Sequence, residues 1–225
     1  MSATMRSELG RSPYTGATLG EYATSTPRDV DVAVSAAAAA AARIAETCPS
    51  AAAGWLDTVA DSLVANRDEL ARLADAETGL GMDRLTGEVG RAASQLRFYG
   101  AVAREGSYLG ATIDTTPVMI GRVQRPVGPV AVFGASNFPF AFGVLGHDVG
   151  SAIASGNPVV AKGHPAHPGL SRRLAEIAIA ALATAGAPEG TYGLVTGFEA
   201  GQQLVRHSGV RAVESLGRTS GKLSR

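Results

Sequence analysis

A single cysteine, Cys48, stands among 225 residues, so no disulfide can close within the chain. Such sparing use suits a reducing cytoplasm. Phe, Tyr and Trp together supply 5% of the residues, too few for a platform on which nucleic-acid bases stack. Neither sign of charge prevails, because 20 basic residues meet 20 acidic ones. No basic field therefore exists to gather nucleic acid or an anionic membrane surface. No window of 18 or more apolar residues runs without charge, which excludes a membrane-spanning helix of the usual kind. The opening "MSATMRSELG" has no apolar stretch of signal-peptide length. The expectation is a cytoplasmic protein with neither a nucleic-acid nor a membrane partner.

Several catalytic signatures are missing too. No G-x-G-x-x-G follows the strand-like "PVAVF". No G-x-S-x-G elbow is present, so His147-Asp148 lacks a nucleophile and reads as a polar helix surface. "GRTSGKL" at 217–223 has one residue too few between its glycines for a phosphate loop, and Leu223 stands where Ser or Thr would hold magnesium. His164 and His167 share a loop at H-x-x-H spacing without cysteine or carboxylate ligands nearby, and no metal site is expected. Cys48 follows an alanine-rich helix. A helix C-terminus disfavours a thiolate, so inert packing is the expectation.

What is present divides the chain in two. Hydrophobic residues make up 45%, enough for a sizeable core. Pro27 opens a first helix, "RDVDVAVSAAAAAAARIAETC", which Pro49 stops; Ser50 is placed to cap the next. That second helix carries Trp55, Leu56, Val59, Leu63, Leu70 and Leu73 at helical spacing, and Gly79 and Gly81 end it. A third, about 83–104, aligns Leu85, Val89, Ala92, Leu96 and Tyr99. Residues 107–126 are β-branched and broken by Pro117 and Pro126, as one or two exposed strands would be. From Val127 apolar strands alternate with helices: "GPVAVFG", a helix near 143–155, "NPVVAK", a helix near 168–185, "TYGLVTG", a helix near 199–207, and "VRAV". This rhythm predicts βαβ units and a parallel sheet, with ligands at the carboxyl ends of its strands. The loops of interest are 134–139, 162–167 and 196–201. Lys162 closes an inner strand and either points into the crevice or is a solvated strand-end charge. The Asn137 amide either donates to a developing oxyanion or caps a turn.

Read together, "RPVGPVAVFGASNFPFAF", "GSAIASGNPVVAKGHPAHPGLS" and "APEGTYGLVTG" resemble the aldehyde dehydrogenase superfamily from about Tyr22 to Val213. The wording is most similar to the branch of α-ketoglutaric semialdehyde (2,5-dioxovalerate) dehydrogenases. The resemblance implies an α/β fold: a helical segment preceding a Rossmann-like coenzyme-binding domain. It implies NAD(P)-dependent oxidation of an aldehyde, such as 2-oxoglutarate semialdehyde or a similar short semialdehyde, to a carboxylic acid. It makes Asn137 an oxyanion donor to the thiohemiacetal formed by a cysteine thiolate. It places Phe133, Gly134, Ala135, Ser136, Lys162, His164, Pro165 and Gly197 around the cofactor, with Lys162 on the adenosine ribose. Pro165 stands where many members carry a glutamate that disfavours a 2′-phosphate. With His164 beside it to help hold phosphate, NADP is preferred over NAD. The stretch before Pro126 resembles a part of the family fold used in oligomer contacts, so a homo-oligomer or a related subunit is an expected partner.

The family chain is roughly twice as long, and its nucleophilic cysteine and general-base glutamate have no counterpart here. The expected organisation is an extension at 1–26, a helical segment at 27–106, a β arm at 107–126, coenzyme-binding units at 127–213 and a divergent tail at 214–225. That tail reads as a frameshift or truncation would leave it. The rival expectation is an inactive fragment, a cofactor-binding or subunit-pairing module without the nucleophile.

Overall fold

A computed structural model describes residues 6–48 and 50–215 of the protein. Pro49, the tail beyond Ser215 and its "GRTSGKL" stretch lie outside the described residues. The chain opens on a hairpin, β1 (Ser7–Arg11) and β2 (Thr18–Ala23), where the sequence suggested only an extension. Four helices follow: α1 (Pro27–Ile44), α2 (Ala51–Ala65), α3 (Arg67–Thr78) and α4 (Met82–Glu105). Pro27 takes the first helical position of α1, and Thr26 and Asp29 close a capping box in front of it. Ser50 does not cap α2 with its side chain, because its backbone is already helical.

The long second helix expected from the apolar pattern breaks at Asn66. There the side-chain amide bonds back to the Ser62 carbonyl (2.8 Å) and competes with the helix ladder. The break lets α2 and α3 pack separately against α4, so the stripe continues although the helix does not. In α4, Leu85, Val89, Ala92 and Leu96 are fully buried. Two short strands, β3 (Thr112–Asp114) and β4 (Ile120–Arg122), form an exposed arm.

The sheet that follows is parallel. Its strands are β5 (Val130–Phe133), β6 (Val159–Lys162), β7 (Tyr192–Val195) and β8 (Ala212–Ser215), in the order β7-β6-β5-β8. Three helices connect them: α5 (His147–Ala154), α6 (Pro168–Thr184) and α7 (Phe198–Arg206). The chain moves outward from β5 to β7, then returns to place β8 on the other side of β5. The strand order thus reverses beside β5, where open α/β sheets hold ligands.

Alternation along each strand divides the core. Val130, Val132, Val159 and Ala161 join the cluster of α2, α4, α5 and α6. Ala131, Val160 and Val195 face Val30, Val34 and Ala37 of α1 and Ala200 and Leu204 of α7. Burial on both faces explains why the strands read as continuous apolar runs. Helix α1 starts at the carboxyl end of the sheet, where the Ser25 N–H reaches the Thr196 carbonyl (2.9 Å). It ends at the amino end, with Ile44 beside Gly156 just ahead of β6.

Candidate functional site

Phe133, Lys162 and Val195 stand in register at the carboxyl ends of β5, β6 and β7. The loop leaving β5 stays close to β6, since the Gly134 N–H donates to the Lys162 carbonyl (3.2 Å). It then folds back, with the Ala135 N–H on the Phe142 carbonyl (2.9 Å). Two glycines make this possible. A Cβ on Gly143 would lie 1.9 Å from the Pro139 carbonyl oxygen, and one on Gly146 2.3 Å from that of Ala141.

Helix α4 grips the loop from outside. Arg84 donates to the Asn137 backbone carbonyl and lies 4.9 Å from the Phe138 ring centre. Arg91 stacks over Phe142 at 5.3 Å. Buried Glu88 accepts the N–H groups of Phe140 (2.8 Å) and Ala141 (2.9 Å) through one oxygen. Ser136 and Asn137 at the crest are exposed. The Asn137 side-chain amide has no hydrogen-bond partner among the described residues, so it caps no turn there and is free to donate outward.

At the end of β6, Lys162 is half-buried and its stem passes Gly201 of α7, as does the Phe133 ring. A Cβ on Gly201 would meet the Lys162 Cε and the ring edge at 3.3 Å each. Burial pushes the Lys162 ammonium below its ordinary pKa, against the pull of the Glu8 carboxylate. His164 accepts the Ala166 N–H on Nδ1 (3.1 Å). Burial, with the nearby His167 and Lys162, lowers its pKa to about 4. Its imidazole is therefore neutral at pH 7 and brings no positive charge to a phosphate. Pro165 is exposed. Gly197 ends the β7 loop at φ +100, packed so that a Cβ would lie 2.8 Å from Thr24.

The nine residues that the resemblance assigns to the site thus lie on strand ends and loops at one end of the sheet. His167 ties two of those loops together: fully buried, its Nε2 meets the Ala135 carbonyl at 3.1 Å. Among the described residues no group of three or more His, Cys, Asp or Glu side chains converges as a metal would require. Sequence reading missed the supports. Buried Glu77 of α3 receives the Gly169 and Leu170 N–H groups (2.9 Å each) at the start of α6. With Arg84 and Glu88 it belongs to elements far away in sequence. The one available signal was a carboxylate on the apolar side of its helix: Glu77 follows Leu70 and Ala74 at helical spacing, and Glu88 lies three residues after Leu85.

Two expectations need correction. Cys48 is exposed, not packed, and its Sγ lies 3.0 Å from the Ser50 hydroxyl. That hydrogen bond lowers the thiol pKa. His147-Asp148 is not a polar surface, since Asp148 is 4% exposed and its Oδ2 is buried without a partner. The packing of α5 on α4 places His147 against Tyr99, whose hydroxyl lies 3.0 Å from Nε2. Burial, then the charge of Glu214 on β8, pushes the Asp148 pKa up. A carboxyl that holds its proton more tightly when folded stabilises the fold at low pH. That contribution falls as pH rises from the ordinary carboxylate value through the raised one. Asp148→Asn removes the buried charge. Taking the charge off a buried oxygen that has no partner is worth about 1 kcal/mol or more at pH 7. At pH 7 the variant is expected to melt about 2–4 °C higher per kcal/mol gained, with the gain shrinking as the pH approaches 4. Calorimetric melts at both pH values check this, and a variant less stable at pH 7 would contradict it.

Comparison with known proteins places this geometry. The aldehyde dehydrogenase family profile matches residues 4–221. The chain is 42% identical to alpha-ketoglutaric semialdehyde dehydrogenase 2 of Azospirillum brasilense over 187 residues, covering 78% of this chain and 35% of that protein. It is 35% identical to the alpha-ketoglutaric semialdehyde dehydrogenase of Acinetobacter baylyi, covering 90% of this chain and 40% of that protein. The crystal structure of an NADP-dependent enzyme of E. coli superposes with a TM-score of 0.82 at 26% identity, over 93% of this chain and 43% of that one. The chain thus spans about two fifths of the length of these proteins.

Proposed function

The chain belongs to the aldehyde dehydrogenase family, and from that premise we propose that it is the dinucleotide-binding portion of an enzyme that oxidises a short semialdehyde to a carboxylate. The observation that carries this is Lys162. Its ammonium is half-buried at the carboxyl end of an inner strand, with no hydrogen-bond partner among the described residues. The small-residue bed beneath it fits a nucleotide: Gly201 keeps the floor beside Lys162 and Phe133 low, and Gly197 begins α7 at the same edge. The proposed ligand is NAD or NADP, which when bound supplies the hydride acceptor.

Within this reading Lys162 holds the adenosine ribose, and the backbone from Phe133 to Ser136 lines the way from the sheet to the loop crest. Asn137, steadied through its carbonyl by Arg84, offers its amide to the oxygen of the aldehyde adduct. The loop of His164 and Pro165 carries no carboxylate, which by itself permits a 2′-phosphate and is the ground for an NADP preference. The likeness to two α-ketoglutaric semialdehyde dehydrogenases supports 2-oxoglutarate semialdehyde as substrate. The described residues contain no helix long and apolar enough to cross a membrane.

Titration of the chain with NAD and NADP by isothermal calorimetry tests the reading. Lys162→Ala is expected to weaken both about ten- to a hundredfold, the equivalent of one charge-assisted hydrogen bond. Equal affinities in parent and variant would remove Lys162 from the site.

A further inference from the structure

Helix α4 carries four arginines, and they are of two kinds. Arg97 and Arg104 are spent on α2, where they pair with Asp61 (2.6 Å) and Asp57 (3.0 Å). Arg84 and Arg91, nearer the start of the helix, pair with no carboxylate among the described residues. Glu88 lies between them in sequence, but its carboxylate is buried and turned to the Phe140 and Ala141 N–H groups. Both guanidinium groups lie instead over the loop that follows β5. The Phe138 ring centre has Arg84 at 4.9 Å and Arg91 at 5.8 Å, and Arg91 is also 5.3 Å from that of Phe142. The two rings meet edge to face at 5.7 Å.

Arg84 spends an N–H on the Asn137 carbonyl. Arg91 makes no hydrogen bond among the described residues, so its donors are unspent. An arginine stacked on aromatic rings keeps the edge of its guanidinium open to a carboxylate, which it holds through two parallel bonds. The helix leaves room for such a group. Gly87 stands three residues after Arg84 and four before Arg91, on the face that both occupy. It is exposed, and a Cβ there would meet nothing within 4 Å. Glycine inside a helix costs stability, and no neighbour requires it here. Its effect is to keep a turn of α4 bare between two uncompensated positive charges, beside the residue that follows Asn137.

We infer that Arg91 binds the far carboxylate of the aldehyde substrate across the bare turn at Gly87, with Phe138 and Phe142 as the wall beneath. The inference rests on the reading of Asn137 as the amide that meets the aldehyde oxygen. It assigns to one residue the choice of a carboxylate-bearing semialdehyde over a neutral aldehyde. A neutral aldehyde of the same length leaves the guanidinium unmatched, whereas a carboxylate placed there gains a charge-assisted bond. The preference thus comes from α4 and the β5 loop, both within this chain.

The chain itself can be tested with 2-oxoglutarate, the acid that oxidation of 2-oxoglutarate semialdehyde yields, and with its uncharged dimethyl ester. NMR titrations follow both in the parent, Arg91→Gln, Arg91→Lys, Gly87→Leu and Arg97→Gln, each checked for folding by its melting curve. The parent is expected to bind 2-oxoglutarate about tenfold or more tightly than the ester, with the Arg91 Nε–H and Asn137 side-chain signals moving together. Arg91→Gln is expected to lose most of that margin, Arg91→Lys to keep part of it and Arg97→Gln all of it. Gly87→Leu is expected to melt no lower than the parent, since leucine favours the helix, yet to bind 2-oxoglutarate more weakly. An Arg91→Gln or Gly87→Leu chain that binds 2-oxoglutarate as the parent does overturns the assignment. So does an Arg91→Gln chain that loses NAD affinity, since Arg91 would then serve the dinucleotide. A parent that binds NAD or NADP but does not distinguish the acid from its ester overturns the role of Arg91 alone. A parent that binds neither dinucleotide overturns the functional reading, and this assignment falls with it.

Discussion

No NADH or NADPH is expected to form when the purified 225-residue chain is given 2-oxoglutarate semialdehyde, and Cys48→Ala is expected to change nothing. Family chemistry, as the resemblance implies it, begins with a thiolate attacking the aldehyde carbon, and these residues hold one thiol. That thiol is chemically able. Ser50 lowers its pKa and it faces solvent. Its fault is position. It follows α1, whose 18 residues run from the carboxyl end of the sheet to the amino end. A helix of that length covers roughly 27 Å, so Cys48 lies at the far end of the molecule from Asn137. Alkylation with iodoacetamide should therefore modify Cys48 readily and leave dinucleotide titrations unaltered. Turnover that survives Cys48→Ala would place the chemistry on a nucleophile other than a thiol. Turnover abolished by it would show that the thiol reaches the site after all.

The same contrast between chemistry and position decides what the sequence could reveal. The parallel sheet was legible because strands buried on both faces must be apolar throughout. Val130–Phe133, Val159–Lys162 and Tyr192–Val195 announce themselves in that way. Loops at the ends of such strands follow from topology, so Asn137, Lys162 and Gly197 could be gathered into one region without coordinates. The break at Asn66 was not legible, because the apolar stripe passes through it. Leu63 and Leu70 keep helical spacing while the Asn66 amide ends the ladder. Asp148 failed for a related reason. A charged residue at a helix start looks solvated until the packing of α5 on α4 buries it. Contacts such as Gly169–Glu77 join residues 92 apart, and no local pattern encodes a partner at that distance. The hairpin escaped because its strands carry few apolar residues. What holds it is its docking on α6, α7 and the β7 loop through Arg172, Arg6 and Ser25.

Glu88→Ala is expected to be a strongly destabilising change among the supports of the site. The Glu88 carboxylate is 5% exposed and receives two backbone N–H groups from the segment just after Pro139. Alanine leaves both donors buried with no acceptor. Hydrogen bonds to a charged group contribute about 1.5–3 kcal/mol each, so the pair accounts for roughly 3–5 kcal/mol, the range found when a buried charged partner is removed. For a chain of this size that is a fall in melting temperature of about 10 °C. Glu88→Gln separates the contact from the charge. Its amide oxygen can take the place of the oxygen that now accepts both N–H groups, while its NH2 enters the buried position where Oε2 has no partner, so only part of the loss should be recovered. Hydrogen exchange should report the same order locally, with the Phe140 and Ala141 amides fastest in Glu88→Ala, slower in Glu88→Gln and slowest in the parent. Because Arg84 holds the Asn137 carbonyl on the same loop, release of residues 140 and 141 should also loosen the turn that presents the Asn137 amide. A loss below about 1 kcal/mol in Glu88→Ala, typical of an exposed hydrogen bond, would show that water or another acceptor takes over and that Glu88 does not hold the loop.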